Sequence, residues 1–243
     1  MVPKMYLVGG SVRTKLMNVI GDTDYDFAVE ADSYDDMFNH LRQLGVEVWK
    51  ELPEYVTLRG RMPLAGGVWP PSGRGIVTVG VPADFTLCRK EAMYSDMRHP
   101  NEVTPADLAT DLSRRDFTMN AIAEDEAGTL IDPYGGIADI NDKIIRCVRD
   151  PNERFKEDPL RMLRALRFAI TLDFKLEYHT DKAVRLHSDL LKSLPVERVQ
   201  TELTKMFKCS WWRSMHILEA YPGVMNCLLL HDRLWFKPTT EER

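Results

Sequence analysis

Long apolar runs and closely spaced cysteines are both missing from this 243-residue sequence. No stretch approaches the roughly 20 apolar residues of a membrane-spanning helix, and the first ten residues contain too short an apolar segment for a secretion signal. The four cysteines are scattered without a C-x-x-C pair: Cys88, Cys147, Cys209 and Cys227. These absences argue against a membrane protein, a disulfide framework and a zinc site, and they predict a cytoplasmic protein with reduced thiols.

Negative charge is concentrated in the first part of the chain. Residues 1–142 contain 13 Lys/Arg and 23 Asp/Glu, whereas residues 143–243 contain 19 and 14, so the net charge of −5 combines −10 with +5. An acidic half followed by a basic half is typical of a metal site beside a region that binds a polyanion. Solvated helix faces are the alternative explanation for the same counts.

The segment Asp24-Tyr25-Asp26 places two carboxylates one residue apart in a predicted strand. Side chains alternate along a strand, so both carboxylates point to the same face. Like charges at this spacing repel each other unless a cation lies between them. The pattern therefore predicts that Asp24 and Asp26 bind Mg²⁺, which prefers oxygen ligands. Asp84, in a later apolar strand, is a candidate third acid; a turn residue after Pro82 is the alternative.

A predicted strand at Met5–Val8 runs into Gly9-Gly10 and then into a predicted helix with Ser11 as its N-cap. Glycines in such a turn let backbone N–H groups approach an anion, and a helix N-terminus adds partial positive charge. Arg13 lies in the first helical turn, within reach of the same anion. Gly9, Gly10 and Arg13 are therefore a candidate phosphate site, although most Gly-Gly turns are purely structural.

Arg115, Asp116 and Asn120 lie within about one helical turn of each other, a spacing suited to contacting a ribose and a phosphate. A surface ion-pair cluster is the alternative.

In the segment 157–168, leucines recur every third residue as a core stripe, and arginines form a neighbouring stripe: Arg161, Arg164 and Arg167. Taken alone, that arginine stripe is most simply explained as an exposed, ion-paired helix face.

The remaining pattern predicts an α/β part followed by a helical part. A helix is expected at 31–44, strands at 46–49, 55–59, 76–79 and 83–88, a Gly/Pro-rich loop at 60–75 and a mobile loop at 90–107. From about residue 143 the predicted helices are 157–171, 179–191, 195–208, 211–220 and 224–235. The expected domains are therefore 1–142 and 143–243.

Read together, five segments resemble motifs of the class II tRNA nucleotidyltransferase/poly(A) polymerase family, which includes the CCA-adding enzymes. In family order they are 7–13 (LVGGSVR), 24–26 (DYD), 114–121 (RRDFTMNA), 132–136 (DPYGG) and 157–164 (EDPLRMLR), with a weaker match at 194–199. The resemblance implies a nucleotidyltransferase-fold α/β head domain (1–142) and an all-α helical neck domain (143–243). It also implies a short form with head and neck only, since family members commonly continue into body and tail domains that grip tRNA.

The resemblance further implies roles for individual residues. Asp24 and Asp26 would be metal ligands, and Gly10 and Arg13 would lie at the triphosphate. The ribose and base of the nucleotide would be contacted by Arg115, Asp116 and Asn120, and by Asp158, Arg161 and the nearby Arg164. Thr14 departs from the pattern, because the family usually has Asp after the motif arginine, so a supporting contact is expected to be missing.

The implied reaction is transfer of CMP and/or AMP from CTP and ATP to the 3′ end of tRNA, with release of pyrophosphate and the help of two Mg²⁺ ions. Asp accepts and Arg donates hydrogen bonds, so the Asp158/Arg161 pair matches the amino group and ring nitrogen of cytosine or adenine and mismatches guanine and uracil. A poly(A) polymerase, or an enzyme that adds only A or only CC, is the alternative within this chemistry. A non-catalytic RNA-binding module is the alternative from another class.

Overall fold

The computed structural model describes residues 2–19, 25–62, 80, 82–94 and 100–229. These residues divide into two compact units, one ending at Asp142 and the other beginning at Lys143. Asp24, the predicted strand 76–79, most of the predicted loop 60–75 and the end of the predicted helix 224–235 lie outside the described residues. Within the described part of the chain, every helix is too short or too polar to cross a bilayer.

The first unit is built on one mixed sheet and a separate hairpin. Its strands are β1 (Lys4–Val8), β2 (Tyr25–Glu30), β3 (Glu47–Leu52), β4 (Thr57–Arg61), β5 (Pro82–Leu87), β6 (Arg89–Tyr94), β7 (Pro100–Pro105), β8 (Ala123–Glu124) and β9 (Leu130–Ile131). Its helices are α1 (Gly10–Leu16), α2 (Tyr34–Gln43), α3 (Leu108–Ser113) and α4 (Gly136–Asn141). The sheet order is β3-β4-β5-β2-β1-β8-β9, and β2 and β5 form its parallel pair.

Strand β2 alternates as predicted around Asp26. Tyr25 and Phe27 are buried, whereas Asp26 between them is exposed. On the neighbouring strand β5, Phe85 lies in register with Phe27, and their rings stack with centroids 5.2 Å apart. This aromatic pair anchors the centre of the sheet and leaves the carboxylate of Asp26 on the opposite face.

Two local predictions in the first unit are wrong. The segment 90–107 was expected to be a mobile loop, but β6 and β7 pair as an antiparallel hairpin in its place. The two prolines that suggested a loop are the first and last residues of β7, where a missing N–H is tolerated at the edge of a two-stranded sheet. Ser11 is not the N-cap of α1, because the helix already begins at Gly10 and Gly9 occupies the cap position.

The second unit is helical apart from a short parallel pair. Its elements are β10 (Ile144–Ile145), α5 (Pro151–Glu157), α6 (Leu160–Thr171), β11 (Lys175–Leu176), α7 (Tyr178–His187), α8 (Val196–Cys209), α9 (Trp211–Ala220) and α10 (Pro222–Leu229). Helix α6 packs against α8 and α9, and its predicted leucine stripe is buried. Helix α5 was not predicted, although Asp150 followed by Pro151 is a standard start signal: the Asp150 side chain accepts a hydrogen bond from the N–H of Asn152 at 2.9 Å.

Candidate functional site

The turn between β1 and α1 is bordered by a carboxylate and a guanidinium. Gly9 has φ 71° and ψ −133°, a conformation open to glycine and strained for other residues. A Cβ built on Gly9 would lie 3.3 Å from Nη1 of Arg115 and 3.6 Å from Oδ2 of Asp26. The register explains the approach of Asp26, because its partner on β1 is Val8, the residue just before the turn. The turn therefore brings together three predicted site residues from distant parts of the sequence.

Arg13, Asn120 and Asp116 form a hydrogen-bonded chain beside the same turn. Nη1 of Arg13 donates to Oδ1 of Asn120, and Nδ2 of Asn120 donates to Oδ1 of Asp116 at 2.9 Å. The same Asp116 oxygen accepts the N–H of Phe117 at 2.8 Å, and Asp116 and Asn120 are both buried. The second glycine of the turn, Gly10, is close as well, since a Cβ on it would lie 3.6 Å from Nη2 of Arg13. These contacts fix the direction of the Arg13 side chain.

Asp111, which sequence reasoning did not single out, holds the two adjacent arginines. It is 1% exposed, and it accepts from Nε and Nη2 of Arg114 at 2.9 and 2.5 Å and from Nη2 of Arg115 at 3.1 Å. Burial opposes ionisation of this carboxyl, but the two guanidinium groups outweigh burial and lower the pKa of Asp111. Asp111 is therefore a charged anchor that positions Arg115 at the glycine turn. The i,i+4 spacing of an Asp and an Arg was the available signal.

Helix α4 packs against the segment that carries Asp116 and Asn120. Gly136 packs so closely that a Cβ on it would lie 2.1 Å from the carbonyl oxygen of Thr118, and Oγ1 of Thr118 donates to Oδ2 of Asp139 at 2.6 Å. Asp132 caps α4 by accepting from the N–H groups of Gly136 and Ile137, both at 2.8 Å. The motif at 132–136 therefore has a structural role, because it caps α4 and lets this helix pack against the segment that carries Asp116 and Asn120.

Asp84 lies in register with Asp26 on the parallel neighbour β5, so the two side chains share a face of the sheet. Both of its oxygens accept from Arg59, at 2.6 Å from Nε and 2.7 Å from Nη2. Among the described residues, no three acidic, His or Cys side chains cluster closely enough to hold a metal ion. Asp24 is outside those residues. The role of Asp84 as a third acid stays a prediction.

The predicted base-reading residues lie in the second unit and have local partners. Asp158 accepts from the N–H of Leu160 at 3.1 Å through Oδ1 and from Nη2 of Arg198 at 2.9 Å through Oδ2. Nη1 of Arg161 donates to Glu157 at 3.0 Å, an i,i+4 ion pair on the same stretch of chain.

The third base-reading candidate, Arg164, packs near the ring of Phe168 at 5.5 Å from its centroid. Arg198, inside the weakly matching motif at 194–199, was not a candidate site residue in the sequence, yet it holds the carboxylate of Asp158. Its partner Asp158 is 40 residues away, so spacing alone gave no signal.

Comparison with protein families matches both units. Residues 73–146 match the model described as the poly A polymerase head domain, and residues 173–221 match the probable RNA and SrmB-binding site of polymerase A. The chain belongs to the tRNA nucleotidyltransferase/poly(A) polymerase family. This confirms the resemblance and the predicted fold class of an α/β head followed by a helical region.

Individual family members are similar to this chain over most of its length. The CCA-adding enzyme of Levilactobacillus brevis is 40% identical over 202 residues, covering 83% of this chain and 45% of that protein. The CCA-adding enzyme of Bacillus stearothermophilus in complex with CTP is 31% identical with a TM-score of 0.73, covering 91% of this chain and 49% of that one.

A tRNA nucleotidyltransferase complexed with a primer tRNA and an incoming ATP analog is also 31% identical, with a TM-score of 0.70, covering 93% of this chain and 59% of that one. The chain thus spans about half the length of the family members it matches.

Proposed function

We propose that this chain transfers CMP and/or AMP from CTP and ATP, without a template, to the 3′ end of tRNA, as in CCA addition or repair. The observation that carries the proposal is the meeting of Asp26 and Arg115 at the Gly9 turn, which puts a metal-binding group and a phosphate-binding group at one point. In the reaction the RNA 3′-hydroxyl oxygen attacks the α-phosphorus, the bond to the β-phosphate oxygen breaks, and pyrophosphate leaves. The names of the similar proteins support this choice of substrates.

Residues of the first unit, proposed as the head domain 1–142, would hold the triphosphate. The side chains of Arg13 and Arg115 donate to phosphate oxygens, and the backbone of Gly9 and Gly10 leaves room for the phosphates to approach. Asn120 keeps Arg13 directed at the turn through their hydrogen bond. Because these groups are held in place before the nucleotide arrives, little reorganisation is needed on binding.

Divalent metal ions are general in this family, and the donor set fits them. Asp26 offers an exposed carboxylate beside the turn, and all-oxygen ligands suit Mg²⁺. We propose Asp24 and Asp26 as the ligands of two Mg²⁺ ions, with Asp84 as a further acid once it is released from Arg59. When bound, such ions lower the pKa of the attacking hydroxyl and neutralise charge on the leaving group.

The second unit, proposed as the neck domain 143–243, would select the base. Asp158 accepts and Arg161 donates, so together they match the amino group and ring nitrogen of cytosine or adenine. Guanine and uracil offer a carbonyl and a ring N–H at the same edge, and each would leave both side chains facing a group of the wrong kind. Arg164 would support the same edge.

The test is nucleotide incorporation by the 243-residue chain, with CTP alone, ATP alone and both, on tRNA lacking its terminus and on an unrelated RNA. We expect addition of C and A to the tRNA only. Replacing Asp26 with Asn should reduce incorporation about a hundredfold or more while RNA binding persists. Asp35→Asn, on the exposed side of α2, is the matched control and should leave incorporation unchanged. Full activity of the Asp26 variant would refute the metal assignment.

A poly(A) polymerase is the second candidate, because the matching head-domain model is described by that activity. The same assay separates the two: a ladder of many A residues on the unrelated RNA would favour polyadenylation and exclude tRNA-specific addition. An enzyme restricted to A or to CC would give one nucleotide type only. Binding without incorporation of any nucleotide would favour the non-catalytic RNA-binding module.

A further inference from the structure

Helix α1, which follows the glycine turn and carries Arg13, is only weakly anchored by apolar packing. It has seven residues, and Val12 is the one whose side chain is buried. A helix this short has little stability of its own and depends on its tertiary contacts. Polar contacts must therefore contribute much of what holds α1, and the turn before it, in place.

Two basic side chains of α1 bind the same distant segment. Arg13 donates to Asn120, and Nζ of Lys15 donates to Oε1 of Glu124 at 2.6 Å. Positions 13 and 15 are about 200° apart around a helix, so the two contacts lie on different sides of α1. One contact alone would let the helix rotate about its axis, whereas the two together resist that rotation.

Glu124 depends on Lys15 for compensation of its charge. Its side chain is 1% exposed, and in the described part of the chain its Oε2 has no hydrogen-bond partner. It lies on β8, with Leu7 of β1 as its sheet partner, just before the glycine turn. A buried carboxylate with a single cationic partner is strongly destabilised when that partner is removed. The pair therefore links α1 to strand β8, and a displacement of α1 would leave the buried carboxylate of Glu124 without its cation.

We propose that Lys15 and Glu124 form a positioning pair that sets the orientation of α1, and through it the phosphate contacts of Arg13 and of the glycine turn. The inference rests on the proposed binding of a nucleoside triphosphate at this turn.

The test is equilibrium binding of non-hydrolysable CTP and ATP analogues to the 243-residue chain, measured together with tRNA binding and unfolding by urea. Lys15→Met should weaken analogue binding about tenfold, through displacement of α1, and leave tRNA binding within about twofold. Lys15→Arg should stay close to wild type, because it keeps the cation. Lys50→Met, an exposed lysine of β3, is the matched control and should change neither.

The double variant Lys15→Met/Glu124→Met separates positioning from stability. Replacing both partners removes the uncompensated charge, so the urea midpoint should recover towards wild type while analogue binding stays weak. Recovery of binding together with the midpoint, or binding by Lys15→Met within about twofold of wild type, would overturn the proposal. Both results come from binding and unfolding measurements. A failure of the proposed function, such as an active Asp26→Asn variant, would instead appear in the incorporation assay.

Discussion

The buried anchor Asp111 gives the sharpest prediction in the first unit. Asp111→Asn keeps the size of the side chain but removes the charge that Arg114 and Arg115 share. Breaking a fully buried ion pair costs about 3–5 kcal/mol, and because the two arginine side chains are 21% and 20% exposed, we expect about 2–4 kcal/mol here. Arg115 would also leave its place beside Gly9, so binding of a triphosphate analogue should weaken about tenfold.

Urea unfolding and analogue binding measure these two effects separately. Asp107→Asn is the matched control: Asp107 caps the same helix α3 by accepting from the N–H of Thr110 at 2.8 Å, and no described contact joins its side chain to the arginines. Because Asn caps a helix about as well as Asp, the control should lose less than about 1 kcal/mol and bind the analogue normally. Weakened binding in both variants would trace the effect to α3 itself and refute the anchoring role of Asp111.

The same anchor predicts how stability changes with pH. The pKa of Asp111 is lowered in the folded protein, so its contribution is fully present above the unfolded value of about 3.8 and is lost as the pH falls through the lower folded value. The difference in unfolding free energy between wild type and Asp111→Asn should therefore be constant near neutral pH and shrink in strong acid. A difference that grows on acidification would contradict the ion-pair explanation.

Two further predictions concern packing and base selection. Gly136→Ala should destabilise the first unit by about 3 kcal/mol, because a Cβ there would lie 2.1 Å from the carbonyl oxygen of Thr118. Gly135→Ala should cost only about 1 kcal/mol, because a Cβ there has no atom within 4 Å and only the positive φ is unfavourable. Thermal or urea unfolding of the two variants tests this difference. Arg198→Met should free the carboxylate of Asp158 and reduce discrimination against GTP and UTP about tenfold in incorporation assays, and unchanged discrimination would rule out this positioning role.

The sequence was informative where a pattern is local. The alternation around Asp26 and the one-turn spacing of Arg115, Asp116 and Asn120 are properties of neighbouring residues, and the structure has both. The hairpin formed by β6 and β7 was missed because its charged residues and two prolines hide a strand pattern whose pairing is set by tertiary context.

Contacts between distant residues could not be read from spacing. Lys15 and Glu124 are 109 positions apart, and Asp158 and Arg198 are 40 apart. Each pair forms only because the fold brings two elements together, so a single sequence shows two ordinary charges and no link between them. The motifs thus single out the residues proposed to contact the nucleotide, whereas the residues that hold them in place, such as Lys15, Glu124 and Arg198, gave no local signal.

That difference matters for selection without a template. A carboxylate or guanidinium that rotates freely can present itself to several bases, so discrimination requires that its orientation be fixed. Arg198 and the N–H of Leu160 each occupy one oxygen of Asp158, and Glu157 holds Arg161, yet each carboxylate oxygen still has a lone pair for a base. In the proposed function, selection of cytosine and adenine would then depend as much on Arg198 and Glu157 as on Asp158 and Arg161.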